Sequence, residues 1–298
     1  MPEWRAEIVV DERLARRLIG QFTELEVESL RPFAEGWDYA IWLVNETLAF
    51  RFPRREIAVS GVEREIRVLP TLAPHLTLPV PVPVFVGVPA DGYPWPFFGS
   101  RLLPGRELCE VALDDPARTR IGLSLAGFLR GLHEADVAHD LPDDGNRRGD
   151  MTLRVPKTRE QLAEVETLRL WRTPAFVDRL LDDAERLSPS DASTVVHGDL
   201  HFRQVLASDA AEPTGVIDWV DICRSDPAID LQLLWSFVPA SGRQAFLDEY
   251  GPVTESQLLR ARILALFLCA ALARYGHAEG LSNIEREAVG GLARSVTN

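Results

Sequence analysis

The sequence is poor in cysteine, in positive charge and in long apolar runs. Its three cysteines, Cys109, Cys223 and Cys269, stand far apart, with no CxxC pair and no spacing that suits a metal or a redox couple. So sparse and odd a set argues against a disulfide framework and suits a reducing compartment. Lysine and arginine together number 32 against 45 aspartates and glutamates, a formal net charge of −13. That balance argues against nucleic acid as a partner, because phosphate binding needs a basic face. The N-terminal residues hold no signal-peptide apolar core. Apolar runs such as Ile263 to Leu272 are too short for a bilayer. No internal repeat and no long low-complexity segment is visible. These absences predict a soluble, cytoplasmic protein whose partners are neither nucleic acid nor membrane. The hydrophobic share, 46% of 298 residues, is enough for one large domain or two lobes.

What is present gathers between Val195 and Leu234. Asp199 lies in His197-Gly198-Asp199-Leu200, after an apolar pair, and Asp218 lies in Val216-Ile217-Asp218-Trp219, after a second apolar run. The interval between them fits a loop, a short strand, a turn and a second strand, which would bring both carboxylates to one mouth. Phosphoryl transfer needs such a pair: one carboxylate orients the attacking hydroxyl and accepts its proton, and another holds the magnesium that bridges the nucleotide phosphates. Positioning and charge supply most of the rate. Taken singly, each acid reads as an ordinary turn residue. His197 and His201 also suggest zinc, but a four-residue spacing serves a metal best on a helix. Gly198 argues against a helix there, and neither a third histidine nor a cysteine is near.

HGDLH, VIDW and DPAIDL in this order resemble the catalytic core of the aminoglycoside phosphotransferase family, which includes the macrolide kinases and is related to the protein kinases. The resemblance implies a two-lobe, protein-kinase-like α+β fold. A small N-terminal lobe built on an antiparallel sheet (residues 1–100) would precede a larger, mainly helical C-terminal lobe (residues 101–298), with the hinge about 100–105. It implies that Asp199 is the catalytic base and Asp218 the chief magnesium ligand. Where the family usually has an asparagine as second metal ligand, this chain has Gln204, whose amide oxygen sits on a longer arm. Arg51, in Leu48-Ala49-Phe50-Arg51-Phe52, falls where kinases carry the phosphate-holding lysine, and Arg grips phosphate with a different geometry. Glu65 matches its partner on the next helix, with Glu63 as rival. Backbone at Arg101, Leu102 and Leu103 is expected to pair with the purine, leaving ATP and GTP unseparated. The cofactors implied are magnesium and a nucleoside triphosphate. Gly36-Trp37-Asp38 is only distantly like a glycine-rich phosphate loop, having one glycine where protein kinases have three.

Elsewhere the pattern predicts elements more than chemistry. Helices are expected over Asp11 to Glu24, Ala58 to Leu69 (ended or kinked by Pro70), Arg118 to His133, Thr158 to Leu170, Pro174 to Leu187, Ser241 to Glu249, Glu255 to Tyr275 and Ile284 to Val296. Ala40 to Val44 and Thr47 to Phe52 form a hairpin about Asn45-Glu46, and Leu78 to Pro83 is an extended connection. Ala135 to Pro156, rich in turn residues, reads as the flexible segment. His133 is read as structural, Asp230 as a brace of the catalytic loop, and Asp221 as a surface acid close to the active-site mouth. Asp178, Asp182, Asp183 and Glu185 form either a solvated helix face or a cation-binding wall. The first functional reading is transfer of the γ-phosphate of ATP or GTP to a hydroxyl of an aminoglycoside, modestly favoured by the overall acidity. A macrolide kinase, a metabolite kinase and a nucleotide-binding pseudokinase are the alternatives. A macrolide would need a roomier, more apolar acceptor wall.

Overall fold

The computed structural model describes residues 6–36, 38–137, 141–190 and 192–297. The expected bend residue Trp37 and positions 138–140 of the expected flexible segment lie outside these. The chain divides into two compact units. One comprises Met1–Pro74, Pro79–Leu103 and Ile217–Asp221; the other comprises His75–Leu78, Pro104–Val216 and Ile222–Asn298. The units are therefore not two uninterrupted halves: a five-residue piece around Asp218 belongs with the N-terminal segments.

The first unit contains α1 (Glu12–Ile19), β1 (Leu30–Glu35), β2 (Tyr39–Val44), β3 (Leu48–Pro53), α2 (Val59–Leu72), β4 (Pro83–Gly87) and β5 (Phe97–Arg101). Its five strands form one antiparallel sheet in the order β1-β2-β3-β5-β4. Asp11 caps α1, its Oδ1 accepting from Leu14 N at 2.7 Å. The helix stops at Gly20 rather than reaching Glu24. β2 and β3 are joined by the three residues Asn45, Glu46 and Thr47, the first two with positive φ (51° and 54°), and Val44 pairs with Leu48 across the hairpin. Asn45 tolerates that conformation because its Oδ1 accepts from Glu28 N and Ser29 N, at 2.9 and 3.1 Å. The core beneath the sheet is aromatic: Phe50, Phe52, Tyr93 and Phe97 are fully buried, with Phe22 and Phe85 packed against them. Gly99 is required by close approach, since a Cβ there would lie 2.6 Å from the Phe50 ring. α2 runs through Pro70 to Leu72 instead of ending before it. A proline in the last turn removes a single N–H, and Ala73 N still bonds Leu69 O.

The second unit is mainly helical. It contains β6 (Arg106–Glu107), α3 (Asp115–His133), α4 (Met151–Thr167), α5 (Val177–Glu185), β7 (Thr194–Val196), β8 (Val205–Ala207), β9 (Pro213–Val216) and β10 (Cys223–Ser225). These are followed by α6 (Ala228–Leu231), α7 (Leu233–Ser236), α8 (Arg243–Tyr250), α9 (Glu255–Ala278) and α10 (Ser282–Val296). Two small ladders, β10-β7 and β6-β8-β9, flank the loop after β7. α9 is its central helix, packing against α4, α5, α6, α7 and α10. Its 24 residues exceed the apolar run visible in the sequence and make it the described helix long and apolar enough to cross a membrane. More than half of its most apolar window is nevertheless buried within the protein, and Arg260 and Arg262 on it are buried as well. α4 begins at Met151, capped by Asp150, whose Oδ1 accepts from Thr152 N at 2.9 Å. It passes through Pro156, so residues 151–156 are helix rather than part of a flexible segment. Residues ahead of it are tied down too: Asp144 N donates to Arg224 O and Arg224 N to Pro142 O, at 3.0 and 2.8 Å.

Candidate active site

In the first unit the sheet and α2 bring three of the expected residues together. Arg51 points from β3 to Glu65 on α2, its Nη1 lying 2.9 and 3.0 Å from the two carboxylate oxygens. Its Nη2 reaches Asp218 Oδ1 at 3.3 Å. Glu65 is completely buried, the Arg51 side chain is 14% exposed and that of Asp218 is 38% exposed. The pair thus sits inside while the outer carboxylate meets solvent. The Tyr39 ring lies under the guanidinium, 4.8 Å from its carbon, and its hydroxyl donates to Ala58 O at 3.0 Å. The backbone N–H of Trp219, a residue with no exposed surface, donates to Glu65 Oε1 at 3.2 Å. α2 and the turn that carries Asp218 are thereby joined through one carboxylate.

Burial raises the Glu65 carboxyl above the ordinary glutamate value, Arg51 opposing and Asp218 reinforcing. Burial would lower Arg51, but Glu65 and Asp218 outweigh it and hold the guanidinium above its usual value. For Glu65 burial and pairing pull in opposite directions. A permanently charged guanidinium and three hydrogen bonds decide for the carboxylate at neutral pH. Asp218 itself has φ +66°, a left-handed conformation uncommon outside glycine and of the kind that clusters at functional sites. Glu63, the rival partner, is exposed on α2.

In the second unit the loop after β7 carries Asp199. Its conformation is set by Asp230, fully buried at the start of the helical run after β10. Asp230 accepts from His197 N at 2.7 Å, from Gly198 N at 3.1 Å and from His133 Nε2 at 3.2 Å. His133 Nδ1 in turn meets the Tyr250 hydroxyl at 2.8 Å. The Asp230 carboxylate can only accept from Nε2, so a ring nitrogen proton faces it there. Burial first, then Asp230, raises the Tyr250 phenol. Gln232 Nε2 holds the next carbonyl, Leu200 O, at 2.5 Å. His201 Nδ1 accepts from Arg203 N at 3.2 Å, which turns Nε2 toward Asp199 Oδ2, 3.9 Å away. Asp230 thus braces the Asp199 loop as expected, and His133, read as structural, supports it. Among the described residues no histidine, cysteine and carboxylate cluster suits a metal of the zinc type.

Asp199 lines a small pocket open to solvent, of about 80 Å³, with Gly198, Leu200, Arg148, Arg154, Ile229, Gln232 and Leu264, Phe267 and Leu268 of α9 around it. Sequence reasoning missed the arginines and the α9 wall. The Asp150 cap was the one legible sign that a helix, and Arg154 on it, begins so early. Gln204 is 8% exposed, and its Oε1 has no hydrogen-bond partner among the described residues. A buried amide oxygen without a donor fits a magnesium ligand, as does the partly exposed carboxylate of Asp218. Arg101 is exposed and Leu102 and Leu103 partly so; Leu102 N donates to Thr47 O at 2.8 Å. Asp221 is partly exposed beyond Val220, whose carbonyl accepts from Arg64 at 2.7 Å. Three of the four acids of α5 are engaged at the surface: Asp178 and Asp182 pair with Arg159, at 2.9 and 2.5 Å, and Asp183 with Arg186.

An antiparallel five-stranded sheet with its strand cation buried on a helical glutamate, followed in the chain by a mainly helical unit bearing an HGD loop, defines a kinase-like α+β fold. Solved structures share it. The GDP and kanamycin complex of APH(2")-IIia superposes with a TM-score of 0.67 at 22% identity, covering 96% of this chain and 98% of that one. Macrolide 2'-phosphotransferase MphH from Brachybacterium faecium gives 0.61 at 21%, covering 93% and 96%. The streptomycin-ATP-APH(2")-IIa ternary complex gives 0.58 at 17%, covering 96% and 99%. A search among curated proteins finds no significant match. Residues 29–263 match the profile of the Phosphotransferase enzyme family, and the chain belongs to that family.

Proposed function

We propose that the protein moves the γ-phosphate of ATP or GTP to a hydroxyl of a small molecule, with Asp199 as the base. The observation that carries this is the Asp199 loop, pinned by Asp230 through two backbone N–H groups and opening on a solvent-accessible pocket with both arginine and apolar lining. In this reading an acceptor hydroxyl bonds an Asp199 oxygen, which orients the attacking oxygen and takes its proton. Arg51, steadied by Glu65, is the phosphate contact of the N-terminal unit. Asp218 and Gln204 are the oxygen donors for magnesium, which supplies charge neutralisation at the triphosphate when bound. Main chain at Arg101 to Leu103 serves the purine.

The acceptor reading that the sequence puts first is an aminoglycoside. The pocket beside Asp199 favours a macrolide-like or other apolar-bodied acceptor instead: two arginines and Ile229, Leu264, Phe267 and Leu268 line it. A polycation would meet like charge there. The test is product mass. Protein, magnesium and ATP or GTP are incubated separately with kanamycin, gentamicin, erythromycin and a set of hydroxylated metabolites, and each acceptor is examined for gain of one phosphoryl group. Gain on any of them supports the reading. Unmodified acceptors throughout, with intact triphosphate, contradict it.

A further inference from the structure

We infer that the pocket beside Asp199 takes an acceptor bearing a carboxylate on an apolar body, the carboxylate seated on Arg154. The word acceptor rests on the phosphotransferase reading; the binding site does not. Arg154 projects from α4 with its guanidinium carbon over the Phe267 ring of α9, 4.8 Å from the ring centroid. A contact of the guanidinium with a ring face does not use up the N–H donors of the fork. Nε donates to Arg148 O at 3.2 Å and Nη2 to Asn146 O at 3.4 Å, both neutral carbonyls. Among the described residues Nη1 has no hydrogen-bond partner and the group has no carboxylate in an ion pair. Its neighbour differs: Arg148 is matched to Asp144 at 2.8 Å.

A half-buried cation whose hydrogen-bond partners are carbonyls alone, beside a second cation, has no carboxylate in direct contact among the described residues. Desolvation and then Arg148 lower Arg154 below the usual arginine value, against Asp144. An incoming carboxylate would relieve both effects and can be held by two N–H groups at once. The rest of the lining sets the remaining chemistry. Asp199 addresses a hydroxyl, and Ile229, Leu264, Phe267 and Leu268 offer an apolar wall. No acid of α5 contributes to this lining, two of them being held by Arg159.

The test is titration calorimetry on the full chain with 3-hydroxyoctanoate, its methyl ester and kanamycin. The acid is expected to bind about tenfold or more tightly than the ester, the scale of a charge-assisted hydrogen bond. In Arg154→Met, with its melting temperature checked against wild type, the two should bind alike, and Arg154→Lys should keep part of the preference. Equal binding of acid and ester by wild type overturns the inference without any variant. So do absence of acid binding, an acid preference that survives in Arg154→Met, or kanamycin as the tightest of the three. An Arg154→Met protein that loses turnover on every acceptor equally, with acid binding unchanged, would assign Arg154 to the phosphoryl group instead. If the acid binds through Arg154 yet never gains a phosphoryl group from any triphosphate, the site stands and the phosphotransferase reading fails.

Discussion

Arg51 stands where the resemblance places a phosphate-holding cation, and Lys157, the chain's single lysine, is exposed on α4 of the other unit. No lysine can therefore take over the role, and the buried pair with Glu65 is specific to arginine. Arg51→Ala leaves Glu65 buried without its counter-charge and held by one backbone N–H, and is expected to destabilise the fold by about 3–5 kcal/mol in urea denaturation. The double variant Arg51→Met, Glu65→Leu should recover most of that loss but none of the nucleotide affinity. A double variant as unstable as the single one would show that the pair is not what the buried charge depends on. Asp230→Ala removes the common acceptor of His197 N, Gly198 N and His133 Nε2. Unpaired buried donors put its cost at about 3 kcal/mol or more, with turnover lost alongside. Unchanged unfolding and turnover would remove Asp230 from the account. At this scale the acids were legible because each lies in a short string with an apolar strand before it. Arg154 and the orphaned oxygen of Gln204 were not, because burial and missing partners are properties of tertiary packing that no local string carries.

The elements show where local rules suffice. Asp11, Asp114 and Asp150 each cap a helix as residues of that type do, and Thr254 with Gln257 makes a reciprocal capping box at the head of α9. Thr254→Ala should cost about 1 kcal/mol in thermal or urea unfolding, and a neutral result would mean that tertiary packing alone fixes the start of α9. Gly99→Ala is expected to cost about 1–3 kcal/mol by overpacking, because its Cβ would fall on the Phe50 ring at 2.6 Å; an unaltered melting temperature would contradict that packing. Pro70 reads as ending or kinking its helix, and residues up to Pro156 as a flexible segment, yet both prolines lie inside helices, where one missing N–H is outweighed by the burial of Leu69 and Leu72 in α2 and of Val155 and Leu162 in α4. That error hid Arg154 inside a stretch read as loop.

On the scale of the whole molecule, the order of motifs carried the fold, since the sheet hairpin, Glu65 helix, HGD loop and IDW turn occur in one sequence. The grouping of Ile217–Asp221 with the N-terminal segments was not legible, because assignment of five residues to a unit depends on contacts distant in sequence. All three cysteines are buried. Burial raises the thiols of Cys109 and Cys269 from the ordinary 9.0 to about 12, so the protonated form is favoured in the folded state. Their contribution to stability is intact below pH 9 and lost as pH rises through about 12. Native protein at pH 8 should leave Cys109 and Cys269 unmodified by iodoacetamide, whereas urea-unfolded protein should be alkylated at both. Prompt labelling of either in the native state would contradict the packing around β6 or α9. The central claim, that Asp199 is the base of a nucleotide-dependent transfer, meets its most direct test in magnesium-dependent conversion of ATP or GTP to the diphosphate. Wild type and Asp199→Asn are compared with and without an acceptor that wild type phosphorylates. The account predicts acceptor-dependent turnover in wild type and a loss of about a hundredfold or more in Asp199→Asn, with nucleotide binding retained. Equal turnover in the two proteins, or nucleotide binding with no transfer in either, would contradict it.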